Sequence, residues 1–340
     1  MPLSLAIIGD DLTGALDASA PFASRGLAVA VALGPQHVST ALSGDPDVIA
    51  VTTESREISP QAAHDAVRRV IGALPAVRIL KKVDSRLKGN IEAELSAFEF
   101  GCALAAPAIP EFGRIVQAGA VTGFGIDAPI PVRERLGIRA APVAVPDVTT
   151  VAEMHAALDA AGDALLIGAR GLADALAERM VACAPRRIRC LPGPQALFVL
   201  GSRDPITLSQ ADLLRDMPGT TRVVAPNGIF RATLPDVPRL LLQAVPGSEP
   251  RNAEEVSAAL ARAVVPLLRP GFGTVLLSGG ATAAVCLRAA GADVLRVRGE
   301  CLPGLVVAEW EGSTVITKSG GFGEPDCLTR IAAMVGTARA

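Results

Sequence analysis

The chain of 340 residues has no tyrosine, and aromatic residues make up only 3% of it. Single-stranded nucleic acids bind to aromatic stacking platforms, and nucleic acids and anionic membranes both attract clustered lysine and arginine. The formal net charge is −2, and no long basic run is present. We therefore expect neither nucleic acid nor a membrane surface to be a main partner.

Metal-binding and secretory features are also scarce. The three histidines lie far apart, and none of the six cysteines belongs to a Cys-x-x-Cys pair, so the spacing typical of a zinc site is missing. No basic segment precedes a long apolar run at the N-terminus, and no apolar span approaches the ~20 residues that a bilayer requires. We expect a cytoplasmic protein with reduced thiols.

Two common nucleotide-binding motifs are absent. The sequence contains no Gly-x-x-x-x-Gly-Lys-Ser/Thr run, which would form a P-loop around phosphates. No Gly-x-Gly-x-x-Gly follows the first predicted strand, so a dinucleotide-binding fold, and with it a sugar-acid dehydrogenase, is disfavoured.

The sequence does contain a regular alternation of short apolar runs and helical patterns, which predicts doubly wound, mostly parallel α/β sheets. Because 340 residues exceed one ordinary core, we expect two domains. Arginines and prolines mix in residues 185–194, and we place the linker there, giving domains 1–190 and 191–340 with a ligand cleft between them. Prolines and glycines interrupt residues 107–146, which are predicted to form irregular loops.

Two adjacent carboxylates follow the first apolar strand. Asp10 and Asp11 come directly after Leu3–Ile8 and Gly9, at the carboxyl end of the strand, where ligands bind in an open α/β sheet. Two acids so close repel each other unless a cation, a hydroxyl or a metal ion lies between them. The pair is therefore a candidate catalytic site.

Further polar residues end the neighbouring strands. Arg56 follows one strand, and Lys82, Asp84, Ser85 and Arg86 follow the next. Guanidinium and ammonium groups can hold an oxyanion, and a carboxylate accepts from hydroxyls. The set predicts a site for a small, acidic, hydroxylated substrate. The alternative is a surface turn whose charges cancel.

Glycine-rich turns follow two strands of the second half. Ser278-Gly279-Gly280-Ala281-Thr282 lies between a strand and a helix, where free backbone N–H groups suit phosphate. Residues 318–323, with Gly320 among them, follow another strand and allow close approach of a ligand to the backbone. Either turn alone is more simply explained as a tight connection.

Together these stretches resemble the four-carbon acid sugar kinase family. The similar segments occur in the family's order and span nearly the whole chain; they are Gly9–Ala15, Thr53–Arg56, Lys82–Asn90, Pro107–Arg114, Gly201-Ser202, Ser278–Gly280 and Lys318–Gly323. The resemblance implies an N-terminal substrate domain, a C-terminal ATP domain, and transfer of phosphate from ATP to a terminal hydroxyl of a tetronate such as threonate, erythronate or 3-oxo-tetronate. Mg²⁺ is the implied metal, its ligands are unknown, and a homodimer is left open.

The resemblance also assigns roles to individual residues. Asp10 or Asp11 would accept the proton, and the sequence does not choose between them. Two further sets are implied, for the substrate Arg56, Lys82, Asp84, Ser85 and Arg86, and for the nucleotide Ser202, Ser278, Gly279, Gly280, Ala281, Thr282 and Gly320.

The chain departs from the family's pattern at several points. Arg86, Lys88 and Ala281 stand where the family usually has threonine, arginine and an acid, and the chain is short through residues 115–150. Two alternatives therefore stay open, namely a kinase of another small hydroxy acid and a non-catalytic regulator that binds sugar acid or nucleotide.

Overall fold

A computed structural model describes residues 3–137, 142–230, 235–268 and 272–336. The chain divides into two compact units, residues 1–185 and 186–340. The division lies at the beginning of the arginine- and proline-rich segment, five residues before the boundary that we placed at 190/191. No described helix is long and apolar enough to cross a membrane.

The described part of the first unit contains ten strands and seven helices. The strands are β1 (Leu5–Gly9), β2 (Val29–Ala32), β3 (Val48–Thr52), β4 (Arg78–Lys82), β5 (Ala103–Ala106), β6 (Arg114–Gln117), β7 (Ala120–Gly123), β8 (Ile130–Pro131), β9 (Val143–Ala144) and β10 (Leu165–Gly168). The helices are α1 (Leu12–Ser24), α2 (Val38–Leu42), α3 (Pro60–Ala73), α4 (Ile91–Leu95), α5 (Val132–Leu136), α6 (Val151–Ala161) and α7 (Arg170–Met180).

The main sheet of this unit is parallel throughout and has the order β2-β3-β1-β4-β10-β5-β9. Its strands β1, β2 and β3 are completely buried, as expected for parallel strands covered on both faces. The chain adds β3 on one side of β1 and β4 on the other, so the winding reverses at β1. Ligands of open α/β sheets bind at such a point, outside the carboxyl ends of the strands.

The proline-rich segment is more regular than we predicted. Instead of irregular loops, it forms a small antiparallel sheet of order β6-β7-β8, followed by α5 and β9, with residues 138–141 outside the described residues. The β6–β7 turn places Ala118 and Gly119 at φ 50° and 71°, the left-handed conformation that closes tight hairpins. The strands have at most four residues, which is too short for a recognisable alternation.

The second unit contributes seven strands and four helices to the described residues. Its strands are β11 (Ala196–Leu200), β12 (Thr220–Pro226), β13 (Arg239–Val245), β14 (Thr274–Ser278), β15 (Val294–Leu302), β16 (Leu305–Trp310) and β17 (Ser313–Lys318). Its helices are α8 (Pro205–Arg215), α9 (Ala253–Leu268), α10 (Gly280–Ala289) and α11 (Cys327–Met334).

The strands of the second unit follow the order β12-β13-β11-β14-β17-β16-β15, parallel as far as β17 and antiparallel beyond it. Its core packs the buried side chains of Phe198, Leu241, Leu276 and Ile316 against Leu328 and Ile331 of α11. The strand β13 was not predicted from the sequence. The expectation of an α/β fold with two mostly parallel sheets is confirmed.

Candidate functional site

Three neighbouring strands of the first unit end together at the acidic pair. Gly9, the last residue of β1, pairs with Thr52 of β3 and Lys82 of β4. The residues that follow these three strands therefore leave the sheet at one edge. Asp10 and Asp11 follow β1, and Arg56 comes from the segment after β3.

Arg56 lies between the two carboxylates. Its Nε and Nη2 donate to the two oxygens of Asp10 at 2.8 and 3.0 Å, and its Nη1 lies 2.8 Å from Oδ2 of Asp11. We expected a cation, a hydroxyl or a metal ion between the acids, and the fold supplies a guanidinium group. A forked pairing of this kind is rigid as well as strong.

The two carboxylates have different environments. Asp10 is almost fully buried, and although burial raises its pKa, the hydrogen bonds from Arg56 and the charges of Lys81, Arg56 and Lys82 leave the pKa below 3.8. Burial and the neighbouring charge of Asp10 raise the pKa of Asp11 above 3.8, against the opposing effect of Arg56. The Asp11 side chain also keeps 22% of its surface exposed, against 3% for Asp10. Asp11 is thus the more basic and more accessible of the two.

Asp11 also begins helix α1. Its Oδ1 accepts from the backbone N–H of Gly14 at 2.7 Å, and its Oδ2 accepts from the Thr13 hydroxyl at 3.1 Å. An aspartate is a preferred residue at this position because its side chain pairs with an N–H group that has no partner inside the helix. The helix therefore fixes the Asp11 carboxylate at the edge of the sheet.

A buried ion pair lies beside the carboxyl ends of β3 and β4, and sequence reasoning missed it. Lys81 Nζ lies 3.1 Å from Oε2 of Glu94, with both side chains essentially inaccessible. The other oxygen of Glu94 accepts from the Ser55 hydroxyl, one residue before Arg56. The sequence did contain a signal for this ion pair, namely the adjacent lysines Lys81 and Lys82 at the end of a strand. Side chains alternate between the two faces of a strand, so one of the two lysines had to point into the protein.

The remaining substrate-site candidates occupy β4 and the loop after it. Lys82 is buried, donates to the Val83 carbonyl at 2.8 Å, and adds its charge to the acidic pair. Asp84 Oδ2 accepts from the backbone N–H groups of Arg86 and Lys88, and so shapes the loop. Ser85 and Arg86 contact Arg114 of β6, which belongs to the Pro107–Arg114 segment of the resemblance but was given no individual role there.

The nucleotide-site candidates surround a cavity in the second unit. This cavity has a volume of about 380 Å³. Six of the seven predicted residues line it, together with Arg203, Arg251 and Ser257, which sequence reasoning missed; the six are Ser202, Gly279, Gly280, Ala281, Thr282 and Gly320. The seventh, Ser278, ends β14 fully buried, and its Oγ has no hydrogen-bond partner among the described residues.

The cavity opens at the N-terminus of α10. The first hydrogen bond of this helix joins Ala283 N to the carbonyl of Gly279, so the N–H groups of its first turn have no partner within the helix. No acidic residue occurs in that turn. The two arginines Arg203 and Arg251 add positive charge. Such a helix terminus favours an anion, and phosphate in particular.

Close packing accounts for two of the glycines here. A Cβ on Gly201 would lie 2.0 Å from Oγ1 of Thr282, and a Cβ on Gly320 would lie 2.3 Å from Oγ of Ser202. The absence of side chains lets the loop after β11 approach α10 closely, and lets the loop after β17 approach the loop after β11. Gly279 itself has φ 104°, in the left-handed region.

The loop after β17 is held in place by buried side chains. Lys318 is buried, which lowers its pKa, and its Nζ donates to the carbonyls of Ser319 and Gly320. Gln210 of α8 donates to three carbonyls further along the loop. This lysine therefore stabilises the backbone that carries Gly320.

Comparison with known proteins identifies two domain types in the chain. Residues 5–134 match the family model described as a sugar-binding N-terminal domain, and residues 236–328 match the nucleotide-binding C-terminal domain. A D-threonate kinase of Cupriavidus necator is 30% identical, and a D-threonate kinase of Bordetella bronchiseptica is 29% identical. Each alignment covers 96% of this chain and 96% of the relative.

The fold is shared with a solved structure. A Haemophilus influenzae protein of the DUF1537 family superposes with a TM-score of 0.72 at 18% identity, covering 97% of this chain and 99% of that one. The two sequence alignments and the structural superposition thus each cover nearly the whole chain. The resemblance drawn from the sequence is confirmed, and the chain belongs to the four-carbon acid sugar kinase family, with its sugar-binding N-terminal and nucleotide-binding C-terminal domains.

Proposed function

We propose that this protein transfers the terminal phosphoryl group of ATP to the terminal hydroxyl of a four-carbon acid sugar, giving the 4-phosphate. D-threonate is the first substrate to test, because two relatives of full-length similarity are named D-threonate kinases. Residues 1–190 bind the acid sugar and residues 191–340 bind ATP. A cytoplasmic location stays a prediction, as does a homodimer.

The observation that carries this proposal is the arrangement of Asp10, Arg56 and Asp11. Phosphoryl transfer needs a group that positions the attacking hydroxyl and accepts its proton. Asp11 has the raised pKa and the more exposed side chain, whereas Asp10 is almost fully buried with both oxygens held by Arg56. We therefore assign Asp11 as the base and Asp10 as the residue that orients Arg56.

The ATP phosphates bind at the N-terminus of α10. The backbone N–H groups of Gly280, Ala281 and Thr282 donate hydrogen bonds to phosphate oxygens. Arg203 and Arg251 offset the negative charge of the phosphates. Ser202, Ser278, Gly279 and Gly320 complete the nucleotide set, the glycines by allowing close approach.

Mg²⁺ is expected to come with the nucleotide. No group of three or more histidine, cysteine or acidic residues in the described ranges could hold a metal ion, and Arg56 occupies the space between the two carboxylates. Mg²⁺ usually keeps several water ligands and binds together with substrate phosphates, which leaves Asp11 free to act as the base. When bound, the ion offsets charge on the phosphate oxygens.

A coupled assay of ADP release with D-threonate, D-erythronate and 3-oxo-tetronate tests the proposal.

Asp11→Asn should lower kcat by a factor of about 10²–10⁴, the usual contribution of a positioned base. Asp65→Asn, on the exposed face of α3, is the matched control and should leave kcat unchanged. Retention of the wild-type rate by both Asp11→Asn and Asp10→Asn would show that the carboxylates have no such role. Absence of ADP release from the wild type with every acid would favour a non-catalytic binding protein.

A further inference from the structure

Two guanidinium groups converge beside Gly125, in the loop after β7. A Cβ on Gly125 would lie 2.8 Å from Nη2 of Arg86 and 3.1 Å from Nη2 of Arg114. Because both nitrogens lie so close to one point, they are no more than about 6 Å apart. The absence of a side chain at Gly125 thus lets both guanidinium groups pack against its backbone.

Arg114 is fixed in this position by hydrogen bonds. Its Nε and Nη2 donate to the Phe124 carbonyl at 3.1 and 2.9 Å, and its Nη1 donates to the Ser85 hydroxyl at 2.5 Å. These contacts join the start of β6 to the loop after β4 and to the loop after β7. The small antiparallel sheet therefore positions one guanidinium group over the loop that carries the other.

The positive charge of the pair is only partly offset. Burial and the charge of Arg86 lower the pKa of Arg114, against the opposing charge of Asp84. Asp84 uses its Oδ2 on the backbone N–H groups of Arg86 and Lys88. In the parts of the chain that the structure describes, no carboxylate forms an ion pair with Arg86 or Arg114. Two like charges held this close are stabilised by an anion between them.

We propose that Arg86 and Arg114 bind the carboxylate of the substrate and so make the enzyme selective for acid sugars over neutral polyols. This inference rests on the proposed kinase function and deepens it. Guanidinium groups match a planar carboxylate through paired hydrogen bonds. Arg56, which the resemblance assigned to the substrate set, is instead paired with Asp10 and Asp11.

The loop that carries Arg86 also reaches the acidic pair, which suits a short substrate. A Cβ on Gly89 would lie 3.1 Å from Oδ2 of Asp10 and 3.4 Å from Cγ of Arg56. Gly89 is three residues from Arg86, and three residues span at most about 11 Å. In this proposal, a substrate whose carboxylate is bound by Arg86 directs its far hydroxyl towards the acids.

A pair of glycine variants tests the space between the arginines. Gly125→Ala puts a methyl group 2.8 and 3.1 Å from the two guanidinium nitrogens, and so displaces the side-chain ends that would bind the carboxylate. Gly119→Ala is the matched control, since Gly119 has φ 71° against 70° for Gly125 but no atom within 4 Å of a Cβ. We expect Gly125→Ala to raise KM for D-threonate at least ten-fold, and Gly119→Ala to change it less than two-fold. Equal KM values in the two variants would overturn the proposal.

Charge-removing variants give a second, independent readout. Arg114→Gln should raise KM for D-threonate by about ten-fold or more, as for a lost hydrogen bond to a charged group, with Arg114→Lys between it and wild type. The KM for ATP should not change. Arg135→Gln, an exposed arginine on α5, is the control.

A neutral analogue separates this inference from the proposed function. With threitol, which has a hydroxymethyl group instead of the carboxylate, wild type and Arg114→Gln should have the same low kcat/KM. If Arg114→Gln lost the same factor in kcat/KM with threitol as with D-threonate, Arg114 would merely support the fold. If the wild type releases no ADP with any four-carbon acid, the proposed function fails. If the wild type releases ADP with a four-carbon acid and Arg114→Gln keeps the wild-type KM, only the proposed carboxylate subsite fails.

Discussion

At the scale of single residues, the central feature is a cation that keeps two carboxylates together. Arg56 binds both Asp10 and Asp11, so the adjacent acids can occupy a mostly buried strand end without both becoming protonated. The two pKa values move apart, down for Asp10 and up for Asp11. Such a separation is how neighbouring carboxyl groups take different roles in one site.

Replacing Arg56 should weaken the fold in a pH-dependent way. In the wild type, the lowered pKa of Asp10 means that its ionised form stabilises the folded state above about pH 4, and that this stabilisation is lost as pH falls below 3.8. In Arg56→Gln the buried carboxylate lacks its partner, and burial raises its pKa. We expect a loss of about 3 kcal/mol in the free energy of unfolding at pH 7.

The loss in Arg56→Gln should shrink as the pH is lowered from 7 towards 4, because protonation removes the unpaired charge. Urea unfolding at several pH values measures it. Arg69→Gln, at an exposed position of α3, is the control and should unfold like the wild type. A loss that is constant across this pH range would mean that Arg56 stabilises the fold by packing rather than by charge.

At the scale of elements, one helix end and three loops build the nucleotide site. The strands β11, β14 and β17 end in register, with Leu200 paired to Ser278 and Ser278 paired to Lys318. Their following loops therefore meet at the N-terminus of α10. The conformation of Gly279, which directly precedes that helix, decides where its first N–H groups point.

Gly279→Ala should impair ATP binding without affecting the acid sugar. The residue has φ 104°, and an alanine there is strained, so the first turn of α10 should shift and lose a hydrogen bond to phosphate. We expect KM for ATP to rise about ten-fold and KM for D-threonate to change less than two-fold.

Gly312→Ala provides the control for this substitution. Gly312 has φ 81° in the β16–β17 turn, and nothing lies within 4 Å of a Cβ there. An alanine at Gly312 is strained in a similar way to an alanine at Gly279, but Gly312 does not line the nucleotide cavity. If both variants raised KM for ATP equally, the effect would reflect loss of stability and not the position of α10.

At the scale of the whole molecule, the two units are wound in the same way. In each, the first strand is central, the second lies two positions away, the third fills the gap, and the fourth lies on the other side of the first. The strand orders β2-β3-β1-β4 and β12-β13-β11-β14 show this directly. Each candidate site lies where its own winding reverses, after β1 in one unit and after β11 in the other.

Limited proteolysis should separate the two units. Arg186 is exposed at the division, whereas backbone hydrogen bonds tie Ile188 to Glu300 and Leu191 to Met334. Exposed linkers are the preferred sites of cleavage. We expect trypsin to produce an early N-terminal fragment that ends at Arg186, identified by mass spectrometry. A first cut after Arg189 would instead support a boundary nearer 190, and early cuts within either unit would contradict two compact units.

Much of this molecule was determined by local sequence. The buried strands, the helix α9 (Ala253–Leu268) and the clustering of polar residues at strand ends follow from apolar periodicity, capping residues and the carboxyl-edge rule. The register of β1, β3 and β4 then had to bring Asp10 and the residues around Arg56 together. These are properties of adjacent residues in one parallel sheet.

Other features were decided only by the tertiary structure. The sequence does not show that Arg56 would join both acids, that Lys81 and Glu94 would pair beneath them, or that the proline-rich segment would form a sheet carrying Arg114. Each depends on contacts between residues far apart in the chain, whose distances follow from the packing of strands and loops. Local periodicity specifies which residues are buried, whereas only the folded chain specifies which charges meet.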